Sequence, residues 1–151
     1  MDVSNIYNET KLYHISSPFQ GLAERPMSLP EDFSGVSVLY EYESAPALPD
    51  DQAAFLARVI DGGMKLTPST VLTANLCYTH VSLQKLAEQA ISKTVIIFGL
   101  KWLDQLKNAN IRKNEVVKLY GMKVLFTDTL DIINSNDAAK KAFWVELKKI
   151  L

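Results

Sequence analysis

Cysteine is almost missing from this chain. Cys77 is the single one among 151 residues, so no disulfide can close within the chain. One thiol with two histidines, His14 and His80, also falls short of the usual donor set of a zinc site. An excess of either charge is missing too: sixteen basic residues stand against seventeen acidic ones, a net charge of -1. That balance argues against a strongly basic nucleic-acid binder and leaves room only for a local basic patch. No apolar run approaches the roughly 20 residues of a membrane-spanning helix. The first ten residues are polar and acidic, without the basic-then-apolar order of a secretory signal. The expectation is a soluble, cytoplasmic protein. The six glycines form neither a G-x-G-x-x-G nor a Walker A loop, and G-x-S-x-G and H-E-x-x-H are absent as well. No internal repeat and no low-complexity tract occurs.

What is present is ordinary globular material, 48% hydrophobic and 22% charged. The length suits one domain with a core that needs no staple. Five of the six prolines fall in the first 49 residues. Residues 1–35 show no sustained apolar period and read as an extended N-terminal arm, ahead of a single domain over 36–151. The arm carries spaced apolar residues, among them Tyr7, Leu12, Tyr13 and Phe19. Such a segment either packs along its own domain or binds a partner.

From Gly35 onward strands and helices alternate. VSVLYEY over 36–42 is β-branched and aromatic and predicts a strand. A proline-containing loop follows, then Asp50 as an N-cap candidate for a helix that Gly62 and Gly63 end. Residues 70–76 predict a second strand, and Ser82 can cap a helix over 83–91. KTVIIFGL over 93–100 is continuously apolar and β-branched, which suits a parallel central strand buried on both faces. A short helix begins near Trp102. Residues 115–119 and 122–127 predict short strands around Gly121, a hairpin candidate. Asn136 or Asp137 caps a last helix over 138–151, whose apolar side holds Ala142, Phe143, Val145, Leu147, Ile150 and Leu151. The fold class expected is α/β: a three-layer α/β/α sandwich around a mostly parallel central sheet.

Ligands of open α/β sheets sit beyond the carboxyl ends of the strands. The candidates there are Glu41, Glu43 and Ser44, then Asn75, Tyr78, Thr79 and His80, then Gly99, Lys101 and Trp102, and lastly Thr127, Asp128 and Thr129. Most have a simple packing explanation. Gly99 suits a close strand–helix approach, His80 lacks an acid partner, and Cys77 reads as a buried structural thiol. Asn75 either ties down a neighbouring loop or faces a pocket where it could read a base edge. Lys140, Lys141, Lys148 and Lys149 read as the solvated face of the last helix.

The segments VIIFGLKWLDQLK and KLYGMKVLFTDTLDIINSNDAAKKAFWVELKKIL resemble the C-terminal half of the uracil-DNA glycosylase-like superfamily. There an apolar strand ending in Gly is followed by a helix, a Gly-turn strand, a short catalytic motif and a final helix. VSVLYEYESAPALPDDQAAFLARVIDGG and VLTANL resemble the first strand, its water-activating loop and the second strand, and the resemblance runs from about residue 36 to 151. It implies a glycosylase-like fold in which Asn75 stands where the enzymes contact uracil. The departures point away from catalysis. Asp128 stands where the family has a histidine that stabilises charge developing on uracil, and a carboxylate there repels that charge. The Gly-x-x-Pro-Gly pattern of the first motif is replaced by Tyr42-Glu43-Ser44-Ala45-Pro46. No Fe–S cysteine set exists.

In size and plan the chain is similar to a non-catalytic branch of this fold class, the psi-subunit family of the bacterial DNA polymerase III holoenzyme. There an N-terminal segment binds the clamp-loader core, and the domain binds the chi subunit, which contacts single-strand-binding protein. The resemblance implies a protein-interaction module without cofactor, catalytic residue or metal. Its partner-binding arm is Tyr7, Leu12, Tyr13 and Phe19, and its vestigial pocket is Glu41, Glu43, Asn75 and Asp128. Its partners are a clamp-loader or chi-like subunit, with direct nucleic-acid binding weak or absent. Two alternatives remain: a divergent uracil or damaged-base DNA glycosylase in which Glu41 or Glu43 positions water and Asn75 reads the base, and an α/β domain of another function whose arm packs on its own sheet.

Overall fold

A computed structural model describes residues 29–88, 92–106 and 110–150. Val36–Tyr40 (β1), Leu72–Asn75 (β2), Thr94–Phe98 (β3), Val116–Leu119 (β4) and Met122–Thr127 (β5) make one sheet in the order β2-β1-β3-β5-β4. β1 pairs in parallel with β2 and β3, and β3 pairs in parallel with β5. β4 is antiparallel to β5. The helices are Asp50–Arg58 (α1), Leu83–Glu88 (α2), Lys101–Gln105 (α3), Leu130–Ser135 (α4) and Asp137–Ile150 (α5).

β3 lies at the centre, as its continuous apolar run predicts. Val95 and Ile97 point into one layer, with Leu39, Val124 and Phe126, against Leu83 and Leu86 of α2 and Trp102 of α3. Ile96 and Phe98 point into the other, with Val36, Val38 and Leu125, against α1, α4 and α5. The chain is thus α/β with helices on both faces of a five-stranded, mostly parallel sheet. Tyr120 and Gly121 carry φ values of 51° and 79°. Positive φ at both central residues is what a two-residue hairpin turn needs to follow the strand twist, so the hairpin expected around Gly121 forms β4 and β5.

Several local details differ from the sequence expectation. The first strand stops at Tyr40 rather than residue 42, because Asn75 turns the next residues away from the ladder. Pro49 takes the N-cap position of α1 and Asp50 is its first residue; the carboxylates of Asp50 and Asp51 still lie where the positive end of the helix dipole favours them. The stop at Gly62 and Gly63 is a π-turn over Val59–Gly63, where a Cβ on Gly63 would overlap the Trp144 indole. α4 was not expected at all: with six residues it shows only Leu130 and Ile133 as a buried pair. Asn136 caps α5, its Oδ1 accepting from the Ala139 N–H at 3.0 Å. On α5 the apolar side shifts. Val145 is 56% exposed, whereas Glu146 is buried and pairs with Lys149. Ser82 reaches the Lys85 N–H at 3.4 Å, a long contact for a cap. Phe33 and Ser34, at the end of the expected arm, already join the domain: Phe33 packs on the core and the Ser34 N–H donates to the Thr70 carbonyl. Tyr7, Leu12, Tyr13 and Phe19 lie outside the described residues. Among the described residues no helix is long and apolar enough to cross a membrane.

Phe143 is fully buried between Phe98 and Trp144, with ring centroids 5.2 Å and 5.6 Å away. Phe143→Ala is expected to cost about 3–5 kcal/mol, read as a lowered denaturant midpoint in equilibrium unfolding.

Candidate functional site

The carboxyl ends of the parallel strands form one rim of the sheet, and the loop after β1 lies across it. Asn75, the last residue of β2, holds that loop. Its Oδ1 accepts from the Tyr42 N–H at 3.1 Å and from the Cys77 N–H at 3.1 Å. Its Nδ2 donates to the Tyr42 carbonyl at 2.8 Å, and the Ala45 and Pro46 carbonyls lie at 3.2 and 3.3 Å. A carboxamide has two donor hydrogens and two acceptor lone pairs, and the backbone takes all four here. Of the two roles open to Asn75 from the sequence, the geometry is that of the loop tie.

Glu41 and Glu43 are fastened to the start of α3. The Glu41 carboxylate accepts from the Lys101 N–H at 3.1 Å and lies against Gly99, where a Cβ would overlap it. Gly99 has φ +152°, so glycine serves both the backbone conformation and the close approach. Burial pushes the Glu41 carboxyl above its ordinary value of 4.5, against the opposing pull of the Lys101 amide and ammonium. Glu43 pairs with the Lys101 ammonium, and that hydrogen bond raises the lysine. Tyr78 is 43% exposed, and its hydroxyl donates to the Glu43 carbonyl at 2.7 Å. Trp102 is buried in the core layer beneath.

Asp128 stands apart from this group. It is buried just past β5, with its oxygens 3.3 and 3.4 Å from the Lys113 ammonium. The neighbouring Thr127 hydroxyl donates to Asn114 Oδ1 at 2.7 Å, and the Asn114 N–H donates to the Phe126 carbonyl at 2.7 Å. The fold therefore joins Glu41, Glu43 and Asn75 through one loop and gives Asp128 its own clamp. Lys113 and Asn114 were not found by sequence reasoning. The only signal was a Lys-Asn pair ahead of a strand, and Asn114 has φ +57°, a conformation asparagine tolerates better than most.

Cys77 is half-buried rather than fully buried. Desolvation raises its thiol, and the charges of Glu43 and Glu41 add to the shift. It stays protonated at neutral pH, unlike a reactive thiolate. A groove lined by Ala57, Arg58, Asp61, Thr67 and Pro68 lies where α1 leads toward β2, at the opposite rim from these residues. No protein-family model matches the chain, and no curated protein matches it.

Asn75→Ala leaves the Tyr42 and Cys77 N–H groups without their acceptor. The expected cost is about 2–3 kcal/mol, with faster hydrogen exchange at those two amides than at core amides. For Glu41 the folded chain binds more protons than the unfolded chain in the window just above 4.5. Stability therefore falls as pH rises through that window and levels off above it. Glu41→Gln keeps an acceptor for the Lys101 N–H and carries no charge. The melting temperature of this variant relative to the parent should rise with pH across the same window and then plateau.

Proposed function

We propose that the chain is a non-catalytic protein-interaction module of the DNA-replication machinery, of the psi-subunit kind, bridging a clamp loader and accessory proteins. The observation that carries the non-catalytic half is that three of the candidate groups at this rim are already engaged. Asn75 spends its whole carboxamide on the loop after β1, Glu41 sits on the Lys101 amide, and Asp128 is held by Lys113. A glycosylase needs such groups free to hold a base, orient water and stabilise charge on the leaving group. A buried carboxylate at Asp128, where the resemblance expects a histidine, opposes the last of these. The replication half rests on the resemblance. The arm of Tyr7, Leu12, Tyr13 and Phe19 is the clamp-loader-binding element in this reading, and the domain surface takes a chi-like subunit.

The test is binding of the purified full chain to a bacterial clamp-loader complex and to a chi-like subunit, beside the variant Tyr7→Ala, Leu12→Ala, Tyr13→Ala, Phe19→Ala. The arm variant should lose about tenfold or more in clamp-loader affinity, as when anchor side chains are removed, with its melting temperature unchanged. Absence of binding by the full chain to either partner refutes the replication assignment. Uracil and damaged-base excision should be undetectable, and Asp128→His should not restore it because the first motif is missing too. Release of uracil by the parent chain or by that variant would establish the glycosylase alternative instead.

A further inference from the structure

The opposite rim of the sheet, where the parallel strands begin, has a different chemistry. Lys118 of β4 and Lys123 of β5 are direct partners across the antiparallel ladder. The Lys123 N–H donates to the Lys93 carbonyl at 2.9 Å, so it points toward β3 and not toward β4. Lys118 and Lys123 are therefore a non-hydrogen-bonded pair, the kind whose side chains approach most closely. Like charges so placed are destabilising. Both side chains are exposed, and among the described residues neither ammonium has a carboxylate within 4.0 Å.

More positive charge gathers at this corner. Lys93, exposed just before β3, is not part of this corner: its side chain lies against Gly35, on the Val95 face of the sheet. α5 packs over β4 and β5. It begins near the carboxyl end of β5 and runs back past Gly63, whose Cα faces Trp144 and Leu147. Its last turn thus brings Lys148 and Lys149 toward the same end of the sheet. Glu146, the carboxylate nearest them on that helix, pairs with Lys149 at 2.8 Å.

We propose that this corner, built on Lys118 and Lys123 with Lys148 beside them, is a sequence-independent contact surface for the phosphate backbone of a nucleic acid. One phosphate accepts hydrogen bonds from both ammoniums at once, which converts a repulsive pair into a bridged one. The patch is wholly lysine. Compact ammonium point charges suit successive phosphates, whereas planar carboxylates are matched by the guanidinium fork that is missing here. Contacts of this kind fix no base sequence. The surface lies at the far rim from Asn75 and Glu41, so it stands independently of the partner reading above.

The test is fluorescence anisotropy of the full chain with labelled single-stranded DNA and duplex DNA of about 20 units, which separates the two backbone sources. Binding should be measurable near 50 mM salt and fade toward about 200 mM as counterion release predicts. Lys118→Glu with Lys123→Glu should weaken it by about tenfold or more. The control, Arg112→Glu with Lys141→Glu, makes the same charge change at exposed positions away from this corner and should stay within about twofold. Lys123→Glu alone sets opposite charges across the ladder, so its melting temperature should hold or rise while DNA binding falls. The proposal is overturned by an absence of binding at low salt, by equal losses in both double variants, or by a polyglutamate peptide that competes as well as DNA, which would mark an acidic-peptide surface.

Discussion

Val95, Ile96, Ile97 and Phe98 of β3 are fully buried, two on each face of the sheet, and that burial dictates what must surround them. Each such side chain contributes about 1.5–3 kcal/mol when removed from water. The contribution is realised only if both faces are covered. α2 and α3 cover one face, and α1, α4 and α5 cover the other. Parallel neighbours on either side of β3 require crossover connections, and the covering helices α1, α2 and α3 are part of those connections. The antiparallel β4 is the one strand joined by a tight turn, and it sits at the edge where a hairpin can be added without a crossover.

The loops that enter and leave the strands carry backbone groups outside the ladder, and side chains at the two rims take up many of them. At the carboxyl rim, side chains turn inward. Asn75 satisfies the loop after β1, Glu41 receives the first amide of α3, and Asn114 and Lys113 take Thr127 and Asp128. This is where an α/β fold places chemistry. Here the same positions are occupied by intramolecular bonds, which stabilise the loops and leave the carboxamide and carboxylates engaged. At the amino rim the Ser34 and Ser92 hydroxyls donate to the Thr70 and Gly35 carbonyls, while lysines from two strands and the last helix are left exposed.

Charge illustrates why a chain's composition is a poor guide to its surface. The acidic and basic residues nearly cancel in number, yet the fold sorts them. Glu41, Glu43 and Asp104 lie around the start of α3, near Lys101, while Lys118 and Lys123 stand opposed at the other end of the sheet. Net charge governs long-range behaviour, but a ligand in contact feels the local sum within about a Debye length, roughly 8–10 Å.

The sequence by itself determined the layer architecture. The β-branched run of β3 has the length and composition of a doubly buried strand. The strand expected over 122–127 is β5 residue for residue, and the Gly121 turn and the long last helix carry strong local signals. These features are encoded within a few residues of one another, where propensity and periodicity operate. α4 was hidden because a six-residue helix shows a single apolar pair. Val145 and Glu146 exchanged places because only contact with β4 and β5 decides which side of α5 is covered. Asn75 offered two roles, and choosing between them took backbone groups some 30 residues earlier in the chain. The clamp of Lys113 on Asp128 likewise joins residues that only strand register brings together. Tertiary structure alone decided these, because a side chain's role at a rim depends on which distant backbone or charge arrives beside it.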